Sequence, residues 1–320
     1  MNNFLKGKTF PFVVVLFLMF LVFVLLRIAS SEKVFQPSPE GKLTVVVSLY
    51  PLFDFVKEVG KERVNTILLL PPGAEPHAFE PEPGNVLAIN KADLFIYTGK
   101  FMEVWVDDII KGIRNKNLKI IEAGGNLQLI NGENKDQKED RSKILDPHIW
   151  LDFDNAKFMV DNIAQGLAEK DPANKDFYLE NADSYKKFLD DLDKDYRTTL
   201  ADCKTRKIVY VGHYAFGYLA KKYDLEYLPV IKGFEPDAEP TANDLVQLAT
   251  QIKQNGIRYI FYEELTSPKV AEVIGKETKA KLLLLNASHN VSKGDLDRGI
   301  SFISIMRDNL NNLKTGLECK

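Results

Sequence analysis

The chain is sparing with the residues that most often hold metals or do covalent chemistry. Of 320 residues only four are histidine and two are cysteine. Cys203 and Cys319 stand far outside any CxxC spacing, so no cysteine zinc motif is present. There is no HExxH helix and no GxSxG elbow, which removes two common hydrolase signatures. There is no GxxxxGK[ST] loop either, so the chain carries no phosphate-loop nucleotidase signature. Charge of neither sign dominates: 42 basic against 45 acidic residues leave a net −3. That gives no basic footprint and excludes nucleic acid as the expected partner. What is present is a globular composition, 45% hydrophobic and 27% charged, and enough chain for two ordinary domains.

The amino terminus departs from that composition. Lys6 and Lys8 precede an apolar block, 10–26, which ends at Arg27-Ile-Ala-Ser-Ser31. A basic segment before an apolar run is an export signal. At about 17 residues the run is longer than a usual signal core and just long enough to span a bilayer. Arg27 at its end argues against clean cleavage, so 1–31 is read as an anchor in preference to a cleaved signal. No cysteine follows it to carry a lipid. The lysines on the cytoplasmic side leave the rest of the chain outside. In that oxidising compartment a Cys203–Cys319 bridge is favoured over two free thiols.

After a polar linker, 32–42, strand and helix patterns alternate. Continuous apolar runs at 43–49, 64–70, 93–97 and 118–121 have the form of strands buried on both faces of a parallel sheet. Helical spacing fills 52–59, 83–92, 101–113 and 154–169. The polar loop 131–143 contains no histidine. From 174 to 203 apolar or aromatic residues recur at helical intervals, Phe177, Tyr178, Tyr185, Phe188, Leu189, Leu192, Tyr196 and Leu200, with no internal Gly or Pro. Alternation then resumes, with strands at 208–211, 226–230, 257–262 and 282–285 and helices at 215–222, 241–255, 267–276 and 299–317. The expected fold is α/β: two doubly wound lobes, each with a four-stranded parallel sheet, 43–172 and 204–320, joined by one long helix, 173–203.

All four histidines follow expected strands: His77, His148, His213 and His289, two in each lobe. Ligands of open α/β sheets bind at carboxyl ends of strands. Neutral imidazole is the commonest metal ligand, and four of them suit tetrahedral zinc, whereas manganese prefers more carboxylate oxygen. Pro76 and Pro147 stiffen the loops before His77 and His148. Asp152 is a candidate to hold the His148 ring by a hydrogen bond. Glu75, Glu80 and Glu82 make the His77 mouth acidic and attractive to a cation. The bland role, a polar turn, competes most closely at His289, which lies among Asn286, Ser288 and Asn290.

Several segments then carry a family resemblance: Ser48-Leu-Tyr-Pro-Leu52, Pro71-Pro-Gly-Ala-Glu-Pro-His-Ala-Phe-Glu-Pro81, Lys91-Ala-Asp-Leu-Phe-Ile-Tyr97, Glu103-Val-Trp105, Asp146-Pro-His-Ile-Trp-Leu-Asp152, Gly212-His-Tyr-Ala-Phe-Gly-Tyr-Leu219, Glu239-Pro-Thr241 and Ile260-Phe-Tyr-Glu263. In this order they resemble the metal-binding proteins of bacterial zinc and manganese ABC importers, the cluster A-I adhesin-like family. The resemblance implies two lobes on a rigid helix, a metal between them, and a permease with its ATPase as partners of a monomeric carrier. It assigns His77 and His148 to the first lobe and His213 to the second. Histidine at 213 is similar to the zinc members. The family's fourth ligand is an acid after the last strand; here Asn286 stands where many relatives have aspartate. Asparagine is a poor zinc ligand, so His289 is favoured, with Glu263 or water as the alternatives. A zinc hydrolase, the competing class, needs an open coordination position and a general base, for which Glu263 or Asp152 would serve. Surface adhesion, an activity of some relatives, has only extracellular exposure to support it.

Overall fold

The computed structural model describes residues 41–132, 145–231, 241–265 and 268–320. The apolar block 10–26, nearly all of the linker 32–42, the polar loop from 133 onward, Glu239 and Ser267 lie outside the described residues. Among the described residues no helix is long and apolar enough to cross a membrane.

Two sheets form with the same strand order. In the first, β1 (Leu43–Val47), β2 (Val64–Leu68), β3 (Leu94–Tyr97) and β4 (Lys119–Glu122) run in the order β2-β1-β3-β4. In the second, β5 (Lys207–Val211), β6 (Glu226–Pro229), β7 (Tyr259–Tyr262) and β8 (Lys281–Leu284) run in the order β6-β5-β7-β8. Every pairing is parallel. Successive side chains of a strand point to opposite faces, and both faces here are covered. Val45 and Val47 enter one apolar core while Val46 enters another. Ile208 and Tyr210 are likewise parted from Val209. The inner core runs unbroken from Val45 through the connecting helix to Leu317, so the two lobes share one apolar interior.

The connecting helix is Lys175–Leu200, 26 residues or about 39 Å. It is shorter at both ends than the periodicity predicts. A 3-10 turn, Pro172–Asn174, precedes it, and beyond it Cys203 is bonded to Cys319. Tyr178, Ala182, Tyr185, Leu189, Leu192, Tyr196 and Leu200 form its buried stripe. Phe188, expected within that stripe, is instead 51% exposed.

Two other helices differ from expectation. The helix predicted from 101 occupies only Val106–Gly112. Buried Glu103 accepts from Ser48 Oγ at 2.5 Å and from the backbone N–H groups of Thr98 and Gly99 at 3.1 and 2.9 Å, which ties the preceding segment to the ends of β1 and β3. The last helix begins at Phe302 rather than 299, behind a Ser301 capping box. Gly299, at φ +71°, closes a short helix, Lys293–Asp297, too brief to show a period in sequence.

Candidate metal centre

The four histidines come from loops beyond β2, β4, β5 and β8. His77 lies in the proline-rich turn after β2, its backbone N–H donating to Glu75 Oε1 at 3.0 Å. His148 caps the 3-10 turn Ile149–Leu151, its backbone N–H donating to Asp146 Oδ1 at 3.0 Å. His213 follows β5 through Gly212. A Cβ there would stand 2.5 Å from the Tyr210 ring and 2.6 Å from Glu263 Oε2, so only glycine lets the chain pass this closely. His289 follows Ser288, which is held at φ +60°.

These loops bring one ligand atom from each histidine within 4.8 Å of the other three. The Nε2 atoms of His77 and His148 are 3.2 Å apart, and those of His148 and His213 are 3.4 Å apart. Zinc bound tetrahedrally at about 2.0–2.1 Å sets ligand nitrogens roughly 3.3–3.4 Å apart. His289 Nε2 is buried without a hydrogen-bond partner, as a lone pair waiting on a cation would be.

Three of the rings are backed by carboxylates. His148 Nδ1 lies 2.7 Å from Asp146 Oδ1, His213 Nδ1 2.6 Å from Glu263 Oε1, and His289 Nδ1 3.2 Å from Glu264 Oε1. A partner on Nδ1 fixes the tautomer and turns the Nε2 lone pair into the site. Burial, reinforced by neighbouring histidines, holds His77 and His148 well below the ordinary histidine range. Burial and His213 bring His289 down to about 3. Burial also opposes charge on His213, but the Glu263 carboxylate outweighs it and raises this one ring. Burial pushes Asp146 up to about 8 and Glu264 up to about 7. Burial thus favours the neutral form of His77, His148 and His289, while Glu263 favours the charged form of His213.

The remaining candidates take other places. Asp152 does not meet the His148 ring. It caps the helix Phe153–Lys170 through the Asp154 N–H at 2.9 Å and pairs with Lys222 at 2.5 Å. Directly after the 3-10 turn, it faces the helix it starts. Glu263 stands behind His213 and also accepts that residue's backbone N–H at 3.2 Å. Asn286 serves the loop: its side chain accepts the Ser288 N–H at 2.7 Å, and Asn309 holds its backbone. Asp146 and Glu264 are the site residues that sequence reading passes over. An Asp two residues before His148 was a visible signal, because an aspartate readily accepts from the N–H two residues on.

Two lobes of identical strand order, closing four histidines between them, define a metal-binding protein of the bilobal α/β type. The family described as "Zinc-uptake complex component A periplasmic" matches residues 45–316, and the chain belongs to it. The high-affinity zinc uptake system protein ZnuA of Bacillus subtilis is 37% identical over 297 residues, 91% of this chain and 92% of that one. The zinc-binding protein AdcA of Streptococcus pyogenes is 34% identical over 294 residues, and the chain spans 57% of its length. Among solved structures, the Zn(II)-bound ZnuA-like domain of Streptococcus pneumoniae AdcA superposes with a TM-score of 0.76 at 35% identity, covering 87% of this chain and all of that one (100%). The laminin-binding protein Lmb of Streptococcus agalactiae, described as having adhesin and metal transporting activity, gives a TM-score of 0.76 at 30% identity, covering 86% and 99% of the two chains.

Proposed function

We propose that the protein captures zinc outside the cytoplasm, between lobes spanning 43–172 and 204–320, and delivers it to an ABC permease driven by a separate ATPase. The observation that carries this reading is the convergence of the four histidines, with two nitrogen–nitrogen distances of 3.2 and 3.4 Å. The family's place in zinc uptake and the Zn(II)-bound relative support it. His77, His148, His213 and His289 are the proposed ligands. Glu263 and Asn286, engaged elsewhere, are left out of the coordination sphere. An all-nitrogen set favours zinc over manganese, which prefers carboxylate oxygen. Four protein ligands leave no position for an activated water, so the arrangement suits a carrier and not a hydrolase. The carrier is proposed as a monomer held at the outer membrane face by residues 1–31 or released after their removal.

Anomalous scattering at the zinc edge from crystals of the zinc-loaded chain tests this. The expected result is one zinc ion with four nitrogen ligands. A zinc titration that leaves the melting temperature and the intrinsic fluorescence unmoved would end the capture reading.

A further inference from the structure

The loop of residues 286–291, which carries His289, belongs to the second lobe but is held by both. From its own lobe, Asn309 grips Asn286 from two sides at 2.8 and 2.7 Å, and Glu264 accepts the Ala287 N–H at 3.0 Å. From the first lobe, Trp150 Nε1 donates to Ala287 O at 2.8 Å and the Gly73 N–H donates to Val291 O at 2.9 Å. The Tyr50 N–H of the first lobe donates to His289 O at 3.4 Å, and Asn290 adds two further bonds. Its Nδ2 donates to Pro71 O at 2.7 Å and to Ala74 O at 2.9 Å, both in the turn that bears His77. Its Oδ1 accepts the Val291 N–H at 2.8 Å, which fixes the orientation of the amide. The side chain is buried, and it is the immediate neighbour of His289. Ser288, at φ +60°, adds backbone strain that persists only where surrounding contacts over-determine it.

We infer that Asn290 is the latch of the zinc cleft: its amide ties the His289 loop to the His77 turn, and release of those two carbonyls sets the rate at which zinc leaves. The inference rests on the four histidines being the zinc site. Asn290 touches no ligand nitrogen and acts by position. Binding should survive its loss while the dissociation rate rises. Two amide–carbonyl bonds correspond to about tenfold to a hundredfold in rate.

The test uses the full chain and its Asn290→Ala and Asn290→Asp variants, with zinc release followed by stopped flow into excess chromophoric chelator. Both variants are expected to bind one zinc with an unchanged association rate and to release it about tenfold to a hundredfold faster. The carboxylate of Asn290→Asp cannot donate, so it should not restore slow release. Wild-type release from a variant that binds zinc overturns the latch alone. A wild-type chain that binds no zinc overturns the zinc reading and the latch with it. Hydrogen exchange on the wild type gives an answer independent of variant folding. Zinc should slow the Gly73 amide, which bridges the lobes, more than the Leu285 amide, which donates to Tyr262 O within one lobe. An equal response at both overturns the latch.

Discussion

His148 and Asp146 form a carboxylate–imidazole pair with no solvent exposure on either side chain, Nδ1 to Oδ1 2.7 Å. The same oxygen accepts the His148 backbone N–H, so one carboxylate sets both the ring and the turn that carries it. The other oxygen, Oδ2, abuts Gly217, where an added Cβ would stand 2.5 Å from it. The ring's freedom is removed before any metal arrives.

Substitution should separate the roles of Asp146 and Asp152. Asp146→Asn should lower zinc affinity about 10- to 100-fold, the usual effect of losing a carboxylate behind a histidine ligand. Asp152→Ala should leave affinity unchanged and cost about 0.5–2 kcal/mol of stability through the lost helix cap. Chelator competition and thermal melting read the two effects separately.

Removal of single histidines should grade the site. Zinc at a hundred times its dissociation constant stabilises a binder by about 2.7 kcal/mol, so the wild-type melting temperature should climb on loading. His77→Ala, His148→Ala and His213→Ala should abolish that rise. His289→Ala keeps three nitrogens with room for water, and should retain a weaker rise at higher zinc. Calorimetric scans with and without zinc compare them directly.

The perturbed rings predict a pH dependence with a definite sign. His77, His148 and His289 lie below the ordinary histidine value of about 6.5 when folded and regain that value when the chain unfolds. Between about 6.5 and the folded values the unfolded state binds more protons, so these rings make the apo protein less stable as pH falls below about 6.5. His213 is raised and works oppositely: its contribution is present at low pH and fades as pH rises through its folded value. Near neutrality zinc should therefore displace protons from the raised groups of the site, Asp146, Glu264 and His213. Titration calorimetry in buffers of different ionisation enthalpy counts them, and a count of zero would contradict these shifts.

The Cys203–Cys319 bridge closes a separation of 116 residues. It sits before β5, whereas His213 follows that strand, so bridge and site occupy opposite ends of the second sheet. Replacing both cysteines by serine should cost about 2–5 kcal/mol of stability. Zinc stoichiometry, measured by elemental analysis of the folded double variant, should stay at one.

Much of this was legible beforehand because parallel α/β architecture writes itself locally. A strand buried on both faces needs an apolar run such as Leu43-Thr-Val-Val-Val47, and a packed helix needs a stripe such as Tyr178, Tyr185, Leu192. Where prediction and structure part, a non-local tie is responsible. Glu103 binds the ends of β1 and β3 and shortens a helix. The stripe that included Phe188 was one residue too wide, because period alone does not fix where a buried face ends.

The sequence by itself determined that four histidines follow strands of two similar lobes, since strand ends and helix stripes are properties of short segments. Only the tertiary structure decided which nitrogens face one another, because His77 and His148 are 71 residues apart and His148 and His213 are 65 apart. It also decided which acids stand behind them. Asp146 and Asp152 are both close to His148 in sequence, but the chain folds the first back onto the ring and commits the second to a helix cap. Asn290, a polar turn residue in sequence, became a bond between lobes for the same reason: its partners at Pro71 and Ala74 are brought to it only by the fold.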